Sequence, residues 1–221
     1  MRQVAEGVFL LRGRPSYAIN VYLVGDVIVD AGTRHAARRI LDQVRGRAVS
    51  AHVLTHVHPD HQGSSHRLCD TLAIPLWCGE ADAAAAADPR RMAGGGSPRV
   101  DRVVRAMWAG PGHPVARALR EGDEVADFTV LDTPGHTMGH IALWRESDRV
   151  LIAGDVLSGM NLATGRPGLH EPVQAFSTDP ALNRESARRV ADLEPSVVCF
   201  GHGPPWRDPG RLATFAAQLP R

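Results

Sequence analysis

The sequence predicts an α+β fold built in layers, with sheets inside and helices outside. Two observations carry this expectation. Strand-rich stretches bearing helices occur in both halves of the chain. No close repeat and no linker divides it, and its 221 residues sit at the upper end of one domain. Residues 1–221 are therefore expected to form a single domain.

In order along the chain, Val4–Leu11, Tyr17–Val24 and Asp26–Asp30 read as strands, rich in Val, Ile, Leu and Tyr and separated by turn residues at Gly13–Pro15 and Gly25-Asp26. Thr33 opens a helical pattern with Ala37, Ile40, Leu41 and Val44 on one face, and Gly46 ends it. Val49–Thr55 reads as a strand, Gln62–Asp70 as a short helix, Leu72–Cys78 as a strand and Glu80–Ala87 as a helix stopped by Asp88-Pro89. Ala93–Ser97 is a glycine-rich, flexible spot. After Pro98, the residues Val100, Val103, Val104, Met107 and Trp108 form a helical stripe, with Arg99, Arg102 and Arg105 largely off it. The stripe reads as core packing beneath a solvated basic face. In the second half, Glu124–Leu131, Ile141–Trp144, Val150–Ile152 and Val197–Phe200 read as strands, and Pro180–Leu193 and Pro209–Leu219 as helices.

Composition narrows the function. Lys+Arg number 25 and Asp+Glu 24, a formal charge of +1, which argues against nucleic-acid binding through bulk charge. No apolar run approaches the roughly 18 residues of a membrane span. Met1–Gly7 lacks an apolar signal region. Cys69, Cys78 and Cys199 cannot form a disulfide framework and read as small core hydrophobes. A cytoplasmic location follows as the expectation. The sequence carries no signal for the oligomeric state.

Histidine is the unusual residue, at 11 of 221. In Thr55-His56-Val57-His58-Pro59-Asp60-His61, extended chain has a period of two, so His56 and His58 point to one side. Pro59 then bends the path and brings Asp60 and His61 near. Four metal-capable side chains in six residues would be costly to bury unpaired, so a metal site is expected. Pro134-Gly135-His136, Ala153-Gly154-Asp155 and Gly201-His202-Gly203 each follow an apolar strand, with glycine allowing close backbone approach. Packed strands would bring these ends to one edge, a favoured place for a catalytic site.

These four motifs, T-H-V-H-P-D-H at 55–61, P-G-H at 134–136, A-G-D at 153–155 and G-H-G at 201–203, resemble those of the metallo-β-lactamase-fold hydrolases, in the same order. The similarity runs from about Val8 to the last helix. It implies a four-layer αββα sandwich. It also implies one metal held by His56, His58 and His136, a second held by Asp60, His61 and His202, and Asp155 bridging the two. Imidazoles and carboxylates suit Zn²⁺, so two Zn²⁺ are expected, with Mn²⁺ or Fe²⁺ able to use the same ligands. His140 has no ligand role by resemblance and reads as structural or as orienting a ligand. His35, His52, His66, His113 and His170 read as surface or ordinary polar contacts.

The implied chemistry is attack by a metal-bridging hydroxide on a small ester, thioester or lactone, with Asp60 and Asp155 as the catalytic carboxylates. Secreted β-lactamases are disfavoured, because Asp155 stands where they commonly use cysteine. Nucleases of the superfamily usually add a further domain. Glyoxalase II enzymes resemble the chain in all seven ligands but commonly add a helical C-terminal domain, whereas about twenty residues follow His202 here. The alternative is a persulfide dioxygenase-like enzyme with one iron on His56, His58 or His136 and Asp155. The substrate is expected to be a small molecule, selected by Leu157–Thr178 and Ala93–His113. Met160, Leu162, Leu169 and Phe176 offer apolar contact, and Trp108 with Arg99, Arg102 or Arg105 adds to the pocket if that helix faces it.

Overall fold

The computed structural model describes residues 1–92 and 98–220. The Ala93–Ser97 stretch, together with the side chains of residues 98–101, Arg99 and Val100 among them, lies outside the described residues.

The first sheet has seven strands in sequential order. They are Arg2–Ala5 (β1), Val8–Leu10 (β2), Tyr22–Val24 (β3), Val27–Val29 (β4), Ala51–Leu54 (β5), Leu76–Gly79 (β6) and Val115–Leu119 (β7). β1 to β4 form an antiparallel meander, and β4 to β7 run parallel. The second sheet comprises Glu124–Val125 (β8), Phe128–Asp132 (β9), Ile141–Arg145 (β10), Val150–Gly154 (β11) and Val197–Phe200 (β14), in the order β14-β11-β10-β9-β8. Ser158–Met160 (β12) and Pro167–His170 (β13) form a separate hairpin.

Period-two alternation explains the layers. Val27, Val29 and Val53 face the second sheet and join Val130, Leu143 and Ile152 in the core between the sheets. Their neighbours face outward: Ile28 packs on the helix Ala37–Val44 (α1), and Leu54 packs with Cys69, Cys78 and Ala86. Likewise Leu143 points inward, while Ala142 and Leu151 meet Ala187, Val190 and Leu212 of the helices at Pro180–Asp192 and Pro209–Ala217. Strands buried on both faces thus give helix, sheet, sheet, helix, as the resemblance implies. Each fully buried Leu or Ile of this kind contributes about 1.5–3 kcal/mol.

Several boundaries differ from expectation. Pro59–Gln62 and Ser65–Leu72 are separate helices rather than one. The helix predicted from Thr33 begins at Ala37, after a turn in which the Ala36 amide donates to the Thr33 carbonyl. Residues 17–20, expected as strand, are irregular, with Tyr17 at φ 64°. β7 and the β12–β13 hairpin were not anticipated. The Pro98–Trp108 helix also corrects its sequence reading, because the described part of its stripe, Val103, Val104, Met107 and Trp108, does not enter the core. Val103 is 56% and Met107 51% exposed, while Val104 and Trp108 line a cavity. Among the described residues, no helix is long and apolar enough to cross a membrane.

Candidate metal centre

β5, β9, β11 and β14 all point their C-terminal ends at one edge of the sandwich. Main-chain bonds tie these ends together: the Ile141 amide donates to the Thr55 carbonyl (2.9 Å), the Gly201 amide to Gly154 (2.8 Å) and the Asn20 amide to Gly201 (2.7 Å). Thr55–His58 leave β5, His136 follows β9, Asp155 follows β11 and His202 follows β14. His58 is extended (φ −78°, ψ 153°), and Pro59 starts the short helix that carries Asp60 and His61. Val57 is buried in the core, which turns His56 and His58 to the same side, their ring centroids 4.8 Å apart.

The structure brings all seven sequence-predicted residues together. Their ligand-capable atoms form three groups, His56/His58/His136, His56/His61/Asp155 and Asp60/His61/His202, each with atoms within 4.8 Å of one another. Asp155 is central. Its Oδ2 lies 3.1 Å from His202 Nε2, 3.5 Å from both His61 and His136 Nε2, and 3.9 Å from His56 Nε2. Asp60 Oδ2 is 3.3 Å from His202 Nε2 and 3.8 Å from His61 Nε2.

The Nδ1 atoms of four of these histidines are engaged elsewhere. His61 Nδ1 donates to Asp30 Oδ2 (2.9 Å), and His202 Nδ1 donates to the Ala18 carbonyl. Thr55 Oγ1 gives its proton to Asp30, so it accepts from His56 Nδ1 at 3.0 Å. His136 Nδ1 meets Ser177 Oγ at 3.0 Å. Each Nε2 is thereby left to face the cluster, the arrangement a metal-binding histidine needs. His140 takes the same tautomer but turns its Nε2 to the main chain: Nδ1 donates to Thr133 Oγ1 (2.8 Å), and Nε2 accepts the Asp155 amide (3.0 Å). It orients Asp155, one of the two roles its sequence context suggested.

Sequence reasoning missed Asp30 and Asp82. Asp82 accepts from the Val57 amide (3.2 Å), Thr137 Oγ1 (2.7 Å) and the Gly139 amide (2.9 Å), clamping the His58 and His136 loops together. Their only sequence signal is an acid near a strand end, which is common without function.

A cation fits this donor set. His56 Nε2, His136 Nε2 and Asp155 Oδ1 are buried and have no hydrogen-bond partner. His61 and His202 place their Nε2 atoms 3.4 Å apart. Burial and neighbouring imidazoles hold His56 and His136 well below the usual histidine pKa, so their lone pairs are free. Burial opposes charge on His202, but Asp155 and Asp60 push it up to about 10. The same carboxylates and Asp30 raise His61 against burial. The two acids therefore call for positive charge, which a divalent ion supplies as well as protons do. His66, Asp70 and His113 form a further group at the surface, outside this centre.

A cavity of about 580 Å³ opens onto His58, Asp60, His136, Asp155 and His202. Ser158, Leu162, Val173 and Phe176 of the 157–178 segment line it, as do Val104, Arg105 and Trp108. Met160 and Leu169, expected there, do not; Leu169 packs on the outer helical layer. Arg14, Ile19, Thr33 and Arg39 complete the wall and were not anticipated.

Fold, motif order and metal-capable centre together define a class of proteins. The chain belongs to the metallo-β-lactamase superfamily, whose family description matches residues 15–202. It is 28% identical over 238 residues to the Bacillus subtilis (strain 168) protein named "Probable metallo-hydrolase YflN", covering 92% of this chain and 86% of that one. It is 28% identical over 180 residues to a hydroxyacylglutathione hydrolase of Bdellovibrio bacteriovorus, covering 79% of this chain and 56% of the relative. Among solved structures, the metallo-β-lactamase family protein TTHA1429 of Thermus thermophilus aligns with a TM-score of 0.70 at 29% identity, covering 96% of this chain and 79% of that chain. The di-iron-bound form of TTHA1623 aligns with a TM-score of 0.63 at 27% identity, covering 96% and 93%.

Proposed function

We propose that this member of the superfamily is a dinuclear metal-dependent hydrolase acting on a small ester, thioester or lactone. One observation carries the reading: five imidazoles and two carboxylates, Asp60 and Asp155, converge on one centre, with unpartnered atoms of His56, His136 and Asp155 buried there. His56, His58 and His136 would hold one ion, Asp60, His61 and His202 the other, and Asp155 would touch both. Two zinc ions are the expected complement. Bound there, they would supply a hydroxide nucleophile at neutral pH and polarise the substrate carbonyl.

The chain's own residues supply the rest. His56 and His61 sit behind the centre, while Asp60 opens to the cavity. Burial opposes ionisation of Asp60, yet His61 and His202 keep its carboxyl well below the usual range. It is therefore acceptor-only and suited to orient the nucleophile's hydrogen. Trp108, Leu162 and Phe176 line the cavity and offer apolar contact to an acyl or ring group. A cavity near 580 Å³ suits a small molecule.

A single-iron dioxygenase would leave Asp60, His61 and His202 without a task, and their close facing of one another counts against it. The test is a panel of thioesters, lactones, phosphodiesters and β-lactams on metal-analysed protein. Turnover of a thioester, ester or lactone is expected. Oxygen uptake with iron, and no hydrolysis of any substrate, would overturn the reading.

A further inference from the structure

The cavity carries positive charge that the centre does not use. Arg39 projects from α1, and its Nε is buried with no hydrogen-bond partner. Arg14, from the loop before β3, lines the same cavity. Among the described residues, neither guanidinium forms a salt bridge or hydrogen bond. The cavity's acids, Asp60 and Asp155, are both turned to the imidazoles. Burial, and then the charge of Arg14, hold the Arg39 guanidinium below its usual range. Among the described residues no acid answers the partly buried Arg39 guanidinium, so an anion that enters the cavity beside Arg39 and Arg14 is favoured.

We propose that Arg14 and Arg39 form an anion subsite, and that the substrate carries a carboxylate or phosphate in addition to the group cleaved. A planar guanidinium presents paired N–H donors that match the oxygens of either anion. Arg105 lines the cavity as well and adds to its positive field. The proposal deepens the hydrolase reading by naming a substrate class, but its binding arm stands without turnover.

The test is calorimetry on the metal-loaded protein with dicarboxylates from glutarate to suberate, the matching ω-phosphonocarboxylates, and monocarboxylates of equal length. One anion can then sit at the metal centre and the second on the arginines. In the wild type, the second anion is expected to tighten binding by about tenfold or more, in keeping with charge-assisted hydrogen bonds. In Arg14→Gln/Arg39→Gln most of that gain should vanish with metal content unchanged, and Arg39→Lys should retain part of it. Arg14 is exposed, so Arg14→Gln alone gives a version that leaves the core untouched. Comparison of the carboxylate and phosphonate gains identifies the preferred anion. No gain in the wild type, or the same gain in the double variant, overturns the subsite. In the kinetic arm, Arg39→Gln should raise KM for thioesters with an anionic tail and spare neutral ones. A failed hydrolase reading shows as no turnover with the binding gain intact. A failed subsite shows as turnover with no such gain.

Discussion

The main-chain amide of Asp155 donates to His140 Nε2 at 3.0 Å, so a histidine outside the metal-capable groups sets the position of the residue at their centre. The Nδ1 of His140 is fixed in turn by Thr133 Oγ1. Burial holds His140 down to about 4, so it stays neutral and remains an acceptor at physiological pH. The chain Thr133–His140–Asp155 thus translates a strand-end hydroxyl into the direction of a carboxylate.

His140→Ala should lower turnover about 10–100-fold, the usual cost of losing a group that orients a ligand. Asp155→Ala should abolish turnover and reduce metal content, because four Nε2 atoms surround its Oδ2. Steady-state kinetics and elemental analysis on folded proteins separate the two. Equal losses, or a larger loss in His140→Ala, would contradict the assignment.

Gly201 makes the same centre possible by what it lacks. A Cβ there would lie 2.1 Å from Asp155 Oδ1 and 2.6 Å from His61 Cε1. Gly201→Ala must therefore displace Asp155 or His61. Loss of most metal binding is expected, with near-native far-ultraviolet circular dichroism. Full metal occupancy in this variant would show that Asp155 does not need its observed position.

His52 gives a pH test away from the centre. It is buried, with ring nitrogens on the Ile28 carbonyl (3.0 Å) and Ser65 Oγ (2.8 Å). Burial lowers its pKa from 6.5 to about 4. The unfolded chain then binds a proton before the folded one does, so this contribution is intact above about pH 6.5 and declines as pH falls toward 4. Over that window the wild type should lose roughly 3 kcal/mol relative to His52→Gln. Denaturant unfolding at several pH values measures the difference; parallel curves would contradict it.

The layered fold and the converging strand ends were legible because each rests on a local pattern. His56 and His58 alternate about a buried Val57, and His202 follows the apolar run Val197–Phe200. The supporting residues were not legible, because they act across the fold. Asp30 reaches Thr55 and His61 from 25 and 31 residues away, and the Ala18 carbonyl meets His202 from 184 away. β7 was missed because Val115–Leu119 alternates Ala and Arg with few large apolar residues. The stripe through Trp108 has core-like periodicity, and periodicity alone does not tell a core face from a cavity wall.

Metal stoichiometry tests the central claim most directly. Elemental analysis of the freshly purified chain, before and after incubation with Zn²⁺ or Mn²⁺, should reach two ions per chain. It should fall to one or fewer in His202→Ala, which removes a donor from the Asp60/His61/His202 group alone. A wild-type value of one ion or less, unchanged by added metal, would contradict the dinuclear centre.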